Sequence, residues 1–127
     1  ALLTKLLDSP NEHLRSWAIQ LECEDKAAAD AVLAKYADLA KSDPSPVVRL
    51  FLASGLQRLP LEQRWAVAEQ LIKHGEDAKD HNLELMYWYA IEPLVGADKP
   101  RGLKLAAACA PELGKLRQFI ARRATEK

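Results

Sequence analysis

The sequence predicts an all-α fold, a right-handed α-solenoid of three to four helix pairs, and three observations predict it. The first is composition: 49% of the 127 residues are apolar but only 6% are aromatic, and alanine is abundant, a balance that suits helices. The second is an internal repeat. Asp43-Pro44-Ser45-Pro46-Val47-Val48-Arg49 reads as a turn feeding a helix, and Asp8-Ser9-Pro10-Asn11-Glu12-His13-Leu14-Arg15 reads the same way upstream. Arg15 and Arg49 lie 34 residues apart, as do Leu14 and Val48, and a fixed period of that size marks stacked helix pairs. The third is punctuation: the seven prolines and five glycines sit mostly at the ends of periodic apolar segments. Residues 1–127 are enough for one domain with a core of its own.

Taken in order, Leu2, Leu3, Leu6 and Leu7 give residues 1–7 an apolar face, as in the last turns of a helix that begins earlier; the chain is expected to be a piece of a longer protein. A second helix is expected from about Pro10 to Glu22, with Leu14, Trp17, Ala18 and Leu21 inward, followed by a charged connection to Lys26. The third, about Ala27 to Lys41, carries the stripe Ala28, Val32, Leu33, Tyr36, Leu39 and Ala40. Asp43 is the expected cap of a fourth helix, about Ser45 to Arg58, with Pro44 and Pro46 in the turn and the first helical positions. Leu59-Pro60-Leu61 opens a fifth through Arg64, Trp65, Val67, Ala68, Leu71 and Ile72, closed by Gly75 as a left-handed C-terminal cap. Asp77 to Asn82 is the next turn, and Asp77 keeps the period by following Asp43 at 34 residues. The sixth helix, Leu83 to about Leu94, is apolar almost all round, which predicts burial on several sides. Its arginine position is taken by Leu83 or Glu84, so the third copy is degenerate. Val95 to Pro100 reads as a turn, Arg101 to Cys109 as a seventh helix, and Pro111 as the opening of an eighth through Leu113, Leu116, Phe119 and Ile120.

Charge narrows the function. Eighteen basic and eighteen acidic residues leave no net charge, which weakens the electrostatic case for nucleic acid, and none is expected as a partner. The charge is unevenly spread: residues 1–98 hold ten Lys/Arg against sixteen Asp/Glu, residues 99–127 eight against two. The basic end is either a solvated last helix or a contact for an acidic neighbour. No apolar run reaches the roughly 20 residues that span a bilayer. Cys23 and Cys109 are far apart and form no Cys-x-x-Cys pair, so the sequence leaves their pairing open.

Candidates for chemistry are few, and no catalytic residue, cofactor or metal is assigned. His74 and His81, with Asp77 and Asp80, form the one crude metal cluster, against which stands the ordinary use of such residues in loops and caps. Glu92 follows an apolar run and precedes Pro93; a structural role, accepting hydrogen bonds from a neighbouring helix or pairing with an arginine such as Arg58 or Arg64, is expected over catalysis. Trp65, Tyr87, Trp88 and Tyr89 are expected mainly in the core, and any that stays exposed beside Arg58 or Arg64 makes an interface anchor.

The pattern Asp-x-x-(x)-Val/Leu-Arg-x-x-Ala/Leu resembles HEAT repeats. In that family the repeated Asp and Arg tie adjacent repeats together, which implies structural roles for Asp8 with Arg15 and Asp43 with Arg49. A narrower likeness covers the second half: Leu56-Gln57-Arg58-Leu59-Pro60, Arg64-Trp65, Asp80-His81-Asn82-Leu83, the run Leu85-Met86-Tyr87-Trp88-Tyr89-Ala90-Ile91-Glu92-Pro93-Leu94, and Phe119-Ile120-Ala121-Arg122-Arg123. It resembles large exported proteins of planctomycetes and verrucomicrobia described as membrane-bound dehydrogenases or haem-binding proteins. There a β-propeller precedes a HEAT-like region and a Cys-x-x-Cys-His segment follows. The resemblance implies a non-catalytic spacer in an exported or periplasmic redox protein, with neighbouring domains or another protein as partners. Arg58, Arg64, Trp65, Tyr87, Trp88, Arg122 and Arg123 are its possible contacts, with Glu92 and the repeated Asp and Arg residues as structural positions. A nucleic-acid-binding HEAT-like protein and an independent interaction scaffold are the alternatives.

Overall fold

The computed structural model describes residues 2–126 and holds eight helices with, among those residues, no strand. They are α1 (Leu2–Leu6), α2 (Glu12–Cys23), α3 (Asp30–Ser42), α4 (Pro46–Leu56), α5 (Trp65–Leu71), α6 (His81–Ala97), α7 (Lys99–Ala108) and α8 (Gly114–Thr125). Short 3-10 turns, Leu61–Gln63 and Gly75–Lys79, precede α5 and α6. The side chains of Leu2 and Leu3, part of the apolar face expected for the first helix, lie outside the described residues.

Side-chain caps set the starts of α2, α4, α6 and α7, because the first amides of a helix have no partner within it. Asn11 Oδ1 accepts from the amides of His13 and Leu14 at 2.8 and 3.4 Å, and Ser45 Oγ from Val48 at 3.4 Å. Asp80 Oδ1 accepts from Asn82 and Leu83 at 3.0 and 3.3 Å, and Asp98 Oδ1 from Arg101 at 3.1 Å. The cap of α4 is thus Ser45 and not Asp43, whose carboxylate is held by Arg15.

Helices α2, α4, α6 and α8 pack one on the next in a row, and α3 packs on α5 behind them. The core lies between: Tyr36, Leu52, Leu56, Leu71, Ile72, Tyr87, Ile91 and Leu94 are at most 1% exposed. Close approach explains one glycine in the row. A Cβ at Gly55 would lie 2.8 Å from Cys23 Sγ and 3.4 Å from Ile19 Cγ2, so α4 meets α2 along this side. Gln63 adds a tie behind the row: its side-chain amide donates to the Ala28 carbonyl at 3.0 Å and accepts from the Ala28 amide at 3.1 Å.

Four expectations need correction. Of the residues expected inward on α2, only Ala18 is buried, joined by Ser16, Ile19 and Cys23; Leu14, Trp17 and Leu21 stand 43%, 64% and 43% exposed. Apolar spacing reveals a stripe but not which neighbour covers it, and α2 carries two apolar stripes. Gly75 is no left-handed cap, since no glycine among the described residues has positive φ; the left-handed residue is Lys26, at φ 64°, in the α2–α3 connection. There is no turn at Val95 to Pro100: α6 continues through Pro93 to Ala97, and Asp98 both ends it and caps α7. Helix α8 opens at Gly114 and not at Pro111, after a turn closed by the Leu113 amide on the Ala110 carbonyl at 3.0 Å.

Candidate functional site

Counting from the first residue of each helix puts the row in register. The fourth residues of α2, α4, α6 and α8 are Arg15, Arg49, Glu84 and Arg117. Arg15 donates from Nε to Asp43 Oδ2 at 2.7 Å and from Nη2 to Oδ1 at 3.0 Å, while Nη1 donates to the Ser9 carbonyl at 2.8 Å. Arg49 repeats each bond one helix on, at 2.7 and 2.6 Å to Asp77 and 2.8 Å to the Asp43 carbonyl. A guanidinium fork on a carboxylate is bidentate and fixes orientation, so each rung ties one helix to the turn before the next in the row. Asp8 is not Arg15's partner; it sits at the surface with Lys35, at 2.7 Å.

The second rung is the drier one. The Arg49 and Asp77 side chains are 3% and 2% exposed, and the Tyr87 hydroxyl also donates to Asp77 Oδ2. Burial, reinforced by the neighbouring carboxylate, pushes the Tyr87 phenol well above its ordinary range. On α6 the ladder changes chemistry. Glu84, buried, accepts from the Leu116 amide at 3.0 Å and so caps α8 from outside, where Leu113 provides no side-chain cap.

The residues proposed as contacts separate into core and surface. Tyr87 is fully buried, and Trp65 is 7% exposed with the Arg101 guanidinium 4.2 Å above its ring. Arg64 is buried and holds three backbone carbonyls, Leu59 at 3.0 Å, Ala90 at 3.1 Å and Gln57 at 3.1 Å, bracing the α4–α5 connection against α6. Burial pulls its guanidinium below the usual arginine range. These three have little surface to offer a partner. Trp88 is half-buried on Phe119, ring centroids 5.5 Å apart. Arg58 and Arg122 are exposed, and Arg123 pairs with Glu92 at 3.3 Å. Glu92 therefore accepts from a neighbouring helix, as one of its two expected structural roles had it, and its arginine is Arg123 across the α6–α8 contact, neither Arg58 nor Arg64.

The residues expected at a metal cluster have other occupations. His74 Nδ1 lies 3.0 Å from Glu76 Oε2 and its Nε2 faces the Ala40 carbonyl, while His81 is exposed. With Asp77 held by Arg49 and Asp80 capping α6, no group of three or more metal-ligating side chains comes together among the described residues. Cys23 and Cys109 are free, buried thiols; burial pushes Cys109 up to about 11.

One surface feature escaped sequence reading although its period is the same. The sixth residues of α2, α4, α6 and α8 are Trp17, Phe51, Met86 and Phe119, four large apolar side chains at one register position, none of them buried. Around them open two grooves: one of about 250 Å³ lined by Gln20, Leu50, Phe51, Ser54, Arg58 and Met86, and one of about 380 Å³ whose lining includes Leu85, Phe119, Lys115 and Gln118. Comparison with family models, with curated proteins and with solved structures finds no match for the chain.

Proposed function

We propose that the chain is a HEAT-like α-solenoid that works as a non-catalytic docking and spacing module. The repeated rungs, Arg15 on Asp43 and Arg49 on Asp77, support the repeat, since two copies make the same bonds at the same chain separations. The observation that carries the docking role is the open row Trp17, Phe51, Met86 and Phe119. Helices in contact stand about 8–10 Å apart, so the row offers one apolar contact per helix along a line a partner segment can follow. Arg58 beside Phe51 and Met86 adds the pairing of arginine with apolar surface that interfaces favour as an anchor. The likeness to exported redox proteins extends the proposal: the module spaces an oxidising domain from a haem-bearing one.

The test is a photoreactive residue placed at Phe51 in the product of the gene encoding this chain, expressed in its own host, with mass and visible spectrum then measured. Cross-linking to a neighbouring domain or another protein is expected from position 51 and not from exposed Lys104 on α7, in a product well above 14.1 kDa that shows a Soret band. Equal cross-linking at both positions defeats the docking row, and a small colourless product defeats the redox spacer.

A further inference from the structure

The charge around Phe51, Met86 and Phe119 has one sign. The groove beside Phe51 and Met86 has Arg58 in its wall, and the groove beside Phe119 has Lys115. Arg122 follows Phe119 by three residues on α8 and so shares its face, as Tyr89, 51% exposed, shares that of Met86. In a chain with eighteen acidic residues, the second, fifth, sixth and ninth positions of α4, α6 and α8 hold no aspartate or glutamate. Helix α4 has no carboxylate of its own, and those of α6 and of the end of α8 are already engaged. Glu84, in the wall of the groove beside Phe119, is buried and caps α8, while Glu92 and Glu126 share Arg123 at 3.3 and 3.4 Å. Arg58, Lys115 and Arg122 are exposed, and none of the ion pairs among the described residues uses them.

We propose, on the docking reading of this row, that the occupant is an acidic segment of a partner polypeptide, extended in the polyproline II conformation with a large apolar residue at every third position. Charge selects the acids. Arg58, Lys115 and Arg122 flank the apolar line, and a complementary potential both steers a partner and fixes its register. Spacing selects the conformation. Helices α4, α6 and α8 pack in succession, and packed helices stand about 8–10 Å apart. A polyproline II segment turns once in three residues at about 3.1 Å each, so every third side chain meets the row about 9 Å further on. A β-strand repeats on one face at about 7 Å and an α-helix at about 10.5 Å, so both fall out of step over the two intervals from Phe51 to Phe119. The acids stand between the apolar residues, where they reach the cations on either side of the line.

Fluorescence anisotropy of the 127-residue chain with a labelled synthetic peptide of four Glu-Pro-Leu repeats tests this, beside the same peptide with lysine for glutamate or with serine for leucine. At about 50 mM salt the Glu-Pro-Leu peptide should bind with a dissociation constant on the order of 10⁻⁵ to 10⁻⁴ M, and either replacement should weaken it at least about tenfold. Arg58→Glu together with Arg122→Glu, both at exposed positions, should weaken it about tenfold, and Lys104→Glu on α7 should leave it unchanged. A Glu-Pro-Leu peptide that does not bind, or a lysine peptide that binds as well, overturns the proposal. So does an oligothymidylate that binds more tightly than the peptide, which would assign the cations to nucleic acid. Failure here with cross-linking intact at Phe51 removes the acidic partner and keeps the docking row, whereas loss of selective cross-linking at Phe51 removes both.

Discussion

The two halves of the helix row are fastened at the same place by opposite chemistry. From α2 to α4 and from α4 to α6, the fourth residue of the helix is an arginine whose guanidinium grips an aspartate in the turn ahead. From α6 to α8 the fourth residue is Glu84, and its carboxylate reaches forward to a backbone amide. The difference follows from what each turn lacks. The turns before α4 and α6 carry Asp43 and Asp77 and have caps of their own in Ser45 and Asp80, so a cation is the useful partner. The turn before α8 has no side-chain cap, so an acceptor from the neighbouring helix is. One register position thus joins each helix to the next in three different turns, and only its sign varies.

The comparison breaks most visibly at the driest rung. Asp77→Ala leaves the buried Arg49 cation with only the exposed Glu76 carboxylate, 3.9 Å away, and the Tyr87 hydroxyl without its acceptor, and should cost about 3–5 kcal/mol in a urea melt. Asp43→Ala should cost less, because Arg15 at 11% exposure retains some access to water. Replacing the cluster together, Arg49→Met with Asp77→Leu and Tyr87→Phe, should recover most of the loss, since no buried charge is then stranded. Equal losses for Asp77→Ala and Asp43→Ala would show that burial does not grade the two rungs.

The second half should respond locally. Glu84→Ala removes the external cap of α8 and should cost about 1–2 kcal/mol, with faster hydrogen exchange at the Leu116 amide and little change at α4. If exchange at Leu116 is unchanged, the Glu84 bond contributes nothing to the start of α8.

Much of the fold was legible in the sequence because caps, prolines and a repeated arginine are local signals. All eight helices fall close to their expected stretches. What was not legible depends on neighbours. Leu14 and Val48 carry the same signal, yet one is exposed and the other buried, because among the described residues only the second has a helix packed on that side. Arg64 and Tyr87 sit among residues that suit an interface and are instead braces of the core, a distinction that needs the positions of the Ala90 carbonyl and of Asp77. The sixth-position row was within reach of the 34-residue period, but α6 starts one residue late on that period, so a fixed offset from Phe51 lands on Leu85 and misses Met86. Pairing the wrong aspartate with Arg15 has the same origin. Asp8 is nearer in sequence, but the guanidinium reaches forward to Asp43 in the turn before α4.

The smallest expected effect belongs to the outermost contact between α6 and α8. The Arg123 and Glu92 side chains are 32% and 42% exposed, so water and salt screen most of their attraction. Arg123→Ala should lower stability by about 0.5 kcal/mol at low salt, and by less in 1 M sodium chloride, where the screening length falls to about 3 Å. Asp77→Ala should keep its full cost in the same salt, because ions cannot enter the site that Arg49 and Tyr87 close. Melts of the two variants at both salt concentrations therefore separate a surface pair from a buried rung. A loss at Arg123 that persists in high salt would mean that the arginine acts through its packing against α6, where it crowds the space beside Gly96, and not through its charge.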